Sequence, residues 1–265
     1  MKVTFLGTSH GIAEKDRFTS SILITVGDKN YVIDAGAPIT KLLRQHGVDF
    51  KTIGGIFITH AHADHYMGLL EFMCQVDNFR EFEGVRLNVY APKNFPFVAM
   101  REFIFGKDAV NDITKSIKIG GSRNKAADTE GYRIGCEYYS EGEIFNDGTL
   151  KVSAIPTLHF PGSCAFLLEA EGKSVLITGD LRPDLSDFPA VAFSHQHDLI
   201  ITEAAHPLLN AEPTVQTLGK CKTKKLLITH ICDWRNTPEM AQELAEKLKG
   251  KFPALTVNDN DVFEI

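Results

Sequence analysis

Six consecutive residues, His60-Ala61-His62-Ala63-Asp64-His65, place four metal-ligand side chains in one short stretch of a 265-residue chain. The preceding Gly55-Ile56-Phe57-Ile58-Thr59 is apolar and rich in β-branched residues, the mark of a buried strand. Downstream, Met67, Leu69, Leu70 and Met73 recur at helical spacing. The histidines therefore sit on a strand-to-helix loop, where packed elements can aim several side chains at one point. Imidazole together with carboxylate suits zinc, manganese or iron better than calcium, which prefers oxygen alone. A solvated polar loop is the plainer alternative, but four such residues between two apolar segments rarely gather by chance.

The length suits one large α/β domain or two small ones, with a substantial core, and a single domain over residues 1–265 is expected. At 43% hydrophobic and 23% charged, the composition is that of an ordinary soluble globular protein. Its net charge of −6, from 28 basic and 34 acidic residues, provides no global attraction to nucleic acid or to an anionic membrane. Cys74, Cys136, Cys164, Cys221 and Cys232 are odd in number and scattered, so they read as free buried thiols rather than disulfides or a zinc knuckle. Val3-Thr4-Phe5-Leu6 is too short for a signal-peptide core, and no later run reaches membrane-spanning length. A cytoplasmic location is expected.

The pattern predicts strands at Lys2–Leu6, Ser21–Val26 and Tyr31–Asp34, with Gly27-Asp28-Lys29-Asn30 as a hairpin turn. Pro38 opens a helix over Ile39–His46, and Gly47 ends it. Ile53–Thr59 delivers the histidine loop; Val85–Tyr90 is another strand, followed by a helix around Phe97–Phe105. Residues 106–142 carry little pattern, and Gly120-Gly121-Ser122-Arg123-Asn124-Lys125 reads as a flexible basic loop. Strands resume at Leu150–Ile155, Cys164–Ala170, Ser174–Thr178, Leu199–Thr202 and Leu226–Thr229, with helices at Thr214–Lys220 and Pro238–Leu248. Both halves run strand-rich then helix-rich, a layered α/β plan.

Further donors stand where apolar strands stop. His159 follows Leu150–Ile155, Asp180 ends Val175-Leu176-Ile177-Thr178-Gly179-Asp180, and His230 ends Leu226-Leu227-Ile228-Thr229-His230. One such residue alone would read as a cap or a solvated group. Three in succession after a four-ligand loop point to a shared metal centre.

This ordered set, with Phe5-Leu6-Gly7-Thr8-Ser9 at its start, resembles the motif series of the metallo-β-lactamase superfamily over most of the chain. The resemblance implies a four-layered αβ/βα sandwich with a dinuclear site on one edge. It implies His60, His62 and His159 on a first metal, Asp64, His65 and His230 on a second, and Asp180 bridging. The cofactors would be two divalent ions, zinc first, with manganese or iron also accepted by such ligands. Asp34, in Val32-Ile33-Asp34-Ala35-Gly36, matches the aspartate that steadies the histidine loop; a turn role before Gly36 fits the sequence equally well. Two metals roughly 3.5–4 Å apart would share one water, lower its pKa and leave a bridging hydroxide as nucleophile. Hydrolysis is the expected chemistry, with Asp64 serving it directly.

The opening Leu6-Gly7-Thr8-Ser9-His10-Gly11 is similar to the ribonuclease Z and phosphodiesterase branch, and a small-molecule or nucleotide phosphodiester is the expected substrate. Lactone or ester hydrolysis is the alternative, followed by a ribonuclease Z-type endonuclease and a non-catalytic metal-binding sensor. Ribonuclease Z itself is disfavoured because no Gly/Pro-rich arm is evident. Its His-Glu-Ala-Thr motif is altered here to Thr202-Glu203-Ala204-Ala205-His206. There His206 could donate a proton with Glu203 orienting it, or be a structural loop histidine before Pro207. Arg182, beside Asp180, could steer phosphate but would more often be solvated. His10 could line the cleft, His46 caps a helix, and His195 and His197 read as exposed. No membrane partner and no strong nucleic-acid signal are expected; a homodimer is compatible with the sequence.

Overall fold

A computed structural model describes residues 1–106 and 132–265, and two seven-stranded sheets dominate it. The first runs, in spatial order, β14 (Val262–Glu264), β1 (Lys2–Gly7), β2 (Ser21–Val26), β3 (Lys29–Ile33), β4 (Ile53–Phe57), β5 (Leu87–Pro92) and β6 (Ile134–Tyr139). The second runs β13 (Ala254–Thr256), β12 (Leu226–Thr229), β11 (Leu199–Glu203), β10 (Lys173–Ile177), β9 (Cys164–Ala170), β8 (Lys151–Pro156) and β7 (Gly142–Asn146). In each sheet an antiparallel part adjoins a parallel run, β3 through β6 in one and β10 through β13 in the other. Parallel neighbours end on the same edge, so the loops that follow them gather there.

The strands read as almost unbroken apolar runs because both faces of each sheet are covered. In β2 to β4, Ile24, Tyr31 and Phe57 point at the other sheet, where they meet Val152, Phe166 and Ile201. Their neighbours Leu23, Val32 and Ile56 point outward to Leu42, Phe72 and Met73 on helices Ile39–Gln45 and Met67–Asn78. The second sheet is covered in turn by Leu218, Leu244 and Leu248 of helices Glu212–Leu218 and Pro238–Leu248. Helix, sheet, sheet and helix make the expected four-layered αβ/βα sandwich. Helix Pro238–Leu248 starts as its sequence signals: the Thr237 hydroxyl accepts from the Met240 amide, with proline in the first turn.

Several elements differ from the sequence pattern. The hairpin turn is only Gly27-Asp28, since Val26 already pairs with Lys29. The illegible segment contributes β6 and leads into β7, whose partly exposed Gly-Glu-Ile-Phe-Asn shows no strong alternation. Short β13 and β14 are not visible in the sequence because three residues carry no period. The basic loop Gly120–Lys125 lies outside the described residues. His197 is buried, not exposed: Nδ1 pairs with the Ser174 hydroxyl at 2.8 Å and Nε2 with the Val191 carbonyl at 3.2 Å. His195 is exposed as expected. All five cysteines are free, but Cys74 is only half-buried. No helix among the described residues is long and apolar enough to cross a membrane.

Candidate metal centre

The strands that feed the site stop short of their apolar runs, and the reason lies in the backbone. β3 ends at Ile33 because Asp34 turns into the left-handed region at φ 57°. His230 does the same after β12, also at φ 57°. Non-glycine residues held there are strained, a condition that collects at functional positions. The turn aims the Asp34 carboxylate across the sheet, where it accepts from the Thr59 amide at 2.8 Å and from the Thr59 hydroxyl. Thr59 thereby leaves the β4 ladder, and the histidine loop begins.

Close backbone approach fixes that loop against the one after β3. Ala35 N–H donates to the His65 carbonyl at 2.7 Å. A Cβ on Gly36 would stand 1.6 Å from the Asp64 carbonyl oxygen, so no other residue fits without moving the loop.

All seven sequence-predicted donors meet at the sheet edge. Nitrogen and oxygen atoms of His60, His62, His159 and Asp180 lie within 4.8 Å of one another, as do those of His65, Asp180 and His230. Asp180 is common to both groups, at 3.6 Å from His60 Nε2 and from His159 Nε2, 3.4 Å from His65 Nε2 and 3.3 Å from His230 Nε2. Asp64 Oδ2 lies 3.5 Å from His65 Nε2 and 3.6 Å from His230 Nε2, and accepts from the Gly11 amide at 2.9 Å.

Two details show that a cation fits this arrangement. His62 Nδ1 is faced by His60 Nε2 at 3.0 Å and His159 Nε2 at 3.1 Å, and one ring nitrogen cannot pair well with both. His65 Nε2 is buried with no hydrogen-bond partner, while its Nδ1–H donates to Asp34 Oδ2 at 2.8 Å. A bond on the far nitrogen fixes the tautomer and leaves the near lone pair for a metal. His230 is held likewise, its Nδ1 pairing with the Ser20 hydroxyl at 2.6 Å.

The protonation balance favours the same use. Burial, with the neighbouring imidazoles, holds His60, His62 and His159 below the ordinary histidine value, so their lone pairs are free at neutral pH. Burial would lower His65 as well, but Asp180, Asp34 and Asp64 outweigh it and raise that group. Carboxylates that favour a proton there favour a divalent cation in its place. Asp180, despite burial, is held well below the carboxylate range by His230 and His65.

Glu203 and His206 also reach the cluster. Glu203 accepts from Leu181 N at 2.7 Å and from His206 Nδ1 at 2.9–3.0 Å, which leaves His206 Nε2 unengaged by Glu203. Burial opposes charge on His206, but Glu203 and Asp180 raise it; Arg235 acts the other way. His10 is more central than its glycine-loop position suggested. Its Nδ1 is 3.0 Å from His230 Nε2 and its ring packs on His206 with centroids 4.9 Å apart; burial and the two imidazoles push it down to about 4. Arg182 instead faces solvent near Asp184, and His46 closes its helix with Nε2 3.1 Å from Asn260 Oδ1. Sequence reasoning passed over Ser20 and Asn236, an ordinary loop serine and asparagine. The buried Asn236 amide donates to the carbonyls of Ala204, Ala205 and Pro207 at 2.6–2.8 Å, clamping the loop that carries His206.

Fold and donor set together have the form of a metal-dependent hydrolase of metallo-β-lactamase fold, and the chain resembles the ribonuclease Z branch. Ribonuclease Z of Archaeoglobus fulgidus is 28% identical over 279 residues, covering 87% of this chain and 87% of that protein. The metallo-beta-lactamase fold protein YhfI of Bacillus subtilis superposes with TM-score 0.72 at 19% identity, covering 100% of this chain and 99% of its own. A diphosphatase of the PhnP family superposes with TM-score 0.65 at 18% identity, covering 100% and 97%. At such identities the two structures speak for the fold. Across residues 1–233 the chain matches the family described as the anti-Pycsar protein Apyc1, and it belongs to that family.

Proposed function

We propose that the chain is a phosphodiesterase acting on a small or nucleotide-like phosphodiester at a dinuclear centre. In this reading His60, His62 and His159 would hold one ion, Asp64, His65 and His230 would hold the other, and Asp180 would serve both. The observation that carries it is the place of Asp180, shared by both donor groups and within 3.3–3.6 Å of four imidazole nitrogens. When bound, such ions acidify water and offset negative charge on the attacked phosphorus.

The chain's own residues supply the rest. Asp34 and Ser20 hold the rings of His65 and His230 in one tautomer. Glu203 accepts a hydrogen bond from His206 Nδ1–H and stabilises the imidazolium, whose Nε2–H is then available to the departing oxygen as the P–O bond breaks, leaving His206 neutral. His10, neutral at pH 7, packs beside it. The sequence relative bears on phosphorus chemistry, since it is named a ribonuclease.

The test is a panel of aryl and nucleotide phosphodiesters, transfer RNA precursor, acyl lactones and thioesters, run on protein whose metals are quantified. Turnover of small phosphodiesters with about two ions per chain is expected. Lactone turnover without hydrolysis of bis(p-nitrophenyl) phosphate would replace the reading with ester hydrolysis, and cleavage confined to the RNA would replace it with a nuclease.

A further inference from the structure

The chain has one tryptophan, and it stands 64% exposed beside the metal centre. Trp234 lies four residues beyond His230, with its ring centroid 6.0 Å from that of His10; the His10 ring in turn is 4.8 Å from the ring of His230. One imidazole thus separates the indole from the donors. Other exposed apolar residues stand on the loops that carry the site's histidines. Ile12, Leu158 and Leu208 are each more than 60% exposed and lie within two residues of His10, His159 and His206. Single exposed apolar residues are ordinary; here four occur on the loops of one site.

The chain on either side of Trp234 is held. Ile231 N–H donates to Thr8 O at 2.9 Å and Asp233 N–H to Glu14 Oε1 at 2.7 Å, tying the segment to the loop after β1. Two residues on, the Asn236 amide ties it to the loop carrying His206. A flat ring carried on an anchored segment at the mouth of a site can bind a flat group without that segment first having to be ordered. Next to it Arg235 is exposed, with no ion pair or hydrogen bond among the described residues, and adds positive charge at the mouth.

We propose that Trp234 is the stacking platform for the planar base of a nucleotide substrate, with the phosphodiester at the donors and the base against the indole. Stacking needs a π-face and not a particular set of hydrogen bonds, so the platform selects nucleotides over simple alkyl phosphodiesters and tolerates different bases. The inference rests on the phosphodiesterase reading.

The experiment separates the two. Metal-loaded protein is assayed on adenosine 5′-(methyl phosphate) and on the methyl riboside bearing the same methyl phosphodiester, which differ only in the base. Trp234→Ala should lower kcat/KM on the nucleotide by roughly 10- to 100-fold and leave the base-free ester within about twofold, with Trp234→Phe between. Because Trp234 is the sole tryptophan, its fluorescence is a second readout: the nucleotide should quench it saturably and the base-free ester should not. Equal effects of Trp234→Ala on both esters, no effect on either, or quenching without base discrimination would overturn the platform while leaving the phosphodiesterase intact. Hydrolysis of neither ester by the wild-type chain would remove the reading beneath it.

Discussion

Asp34 and His65, 31 residues apart in the chain, meet at 2.8 Å between Oδ2 and Nδ1. The same carboxylate accepts from the Thr59 amide and hydroxyl, so one buried group orders both ends of the histidine loop. Asp34→Asn keeps the shape but puts an NH₂ group where His65 Nδ1 needs an acceptor, or flips and loses the Thr59 bond. The His65 proton then moves to Nε2 and blocks the lone pair. Metal affinity should fall about 10- to 100-fold with the far-UV spectrum unchanged. Wild-type affinity in a chelator competition would show that Asp34 does not set the tautomer.

Asp180 belongs to three of the clustered donor groups, so if two ions bind as proposed its loss should be felt at both. Asp180→Ala and His65→Ala should each lower bound metal and abolish hydrolysis, as should chelation of the wild type, with activity returning to the wild type alone on adding divalent metal. Full activity in both variants would sink the dinuclear assignment. Metal content by emission spectroscopy checks it.

His206→Gln separates proton delivery from metal binding. If Glu203 and His206 act as proposed, kcat falls about 10²- to 10⁴-fold while metal content is unchanged. The loss should shrink for substrates whose leaving group needs no proton, such as p-nitrophenolate. An equal loss for all leaving groups would assign His206 to another task.

Gly36→Ala tests the close packing of the two loops. The added methyl would lie 1.6 Å from the Asp64 carbonyl oxygen, a contact with backbone that cannot swing away. A destabilisation of about 1–3 kcal/mol is expected, read as a lower melting temperature, together with weaker metal binding. Gly250→Ala, with nothing within 4 Å of its Cβ, is the matched control. Identical melting of the two variants would contradict the packing argument.

Asp147 makes a pH-dependent contribution away from the site. Burial raises its carboxyl, but Lys29, the Leu150 and Thr149 amides and the Tyr31 hydroxyl outweigh that and bring it down to about 2. A depressed folded value means stability present above the unfolded value of about 3.9 and lost as pH falls toward 2. With metal stripped from both proteins, Asp147→Asn should melt lower than wild type at pH 6, and the gap should close between pH 4 and 2. A gap independent of pH would rule out the ionised pair as its source.

The parts of the fold legible in the sequence were those with a long period. Strands such as Ser21–Val26 and Cys164–Ala170 stand where the apolar runs stand, and helix Pro238–Leu248 begins at its threonine and proline. β6 and β7 were illegible because their alternation is weak, and β13 and β14 because they are too short. His197 was misread because its partners, Ser174 and the Val191 carbonyl, come from other elements and leave no local pattern.

By itself the sequence marked the seven candidate donors and where each stands, since an apolar strand ending in His or Asp writes both facts into adjacent residues. It also determined the α/β layering, because covered sheets require apolar residues on both faces. Only the tertiary structure decided which candidate donors share Asp180, and that Asp34, at its turn, also reaches His65. It alone brought His10, Ser20, Asn236 and Trp234 to the site. Parallel strands deliver their loops to one edge, but side-chain distances there depend on how the two sheets pack against each other. No stretch of contiguous residues records that packing.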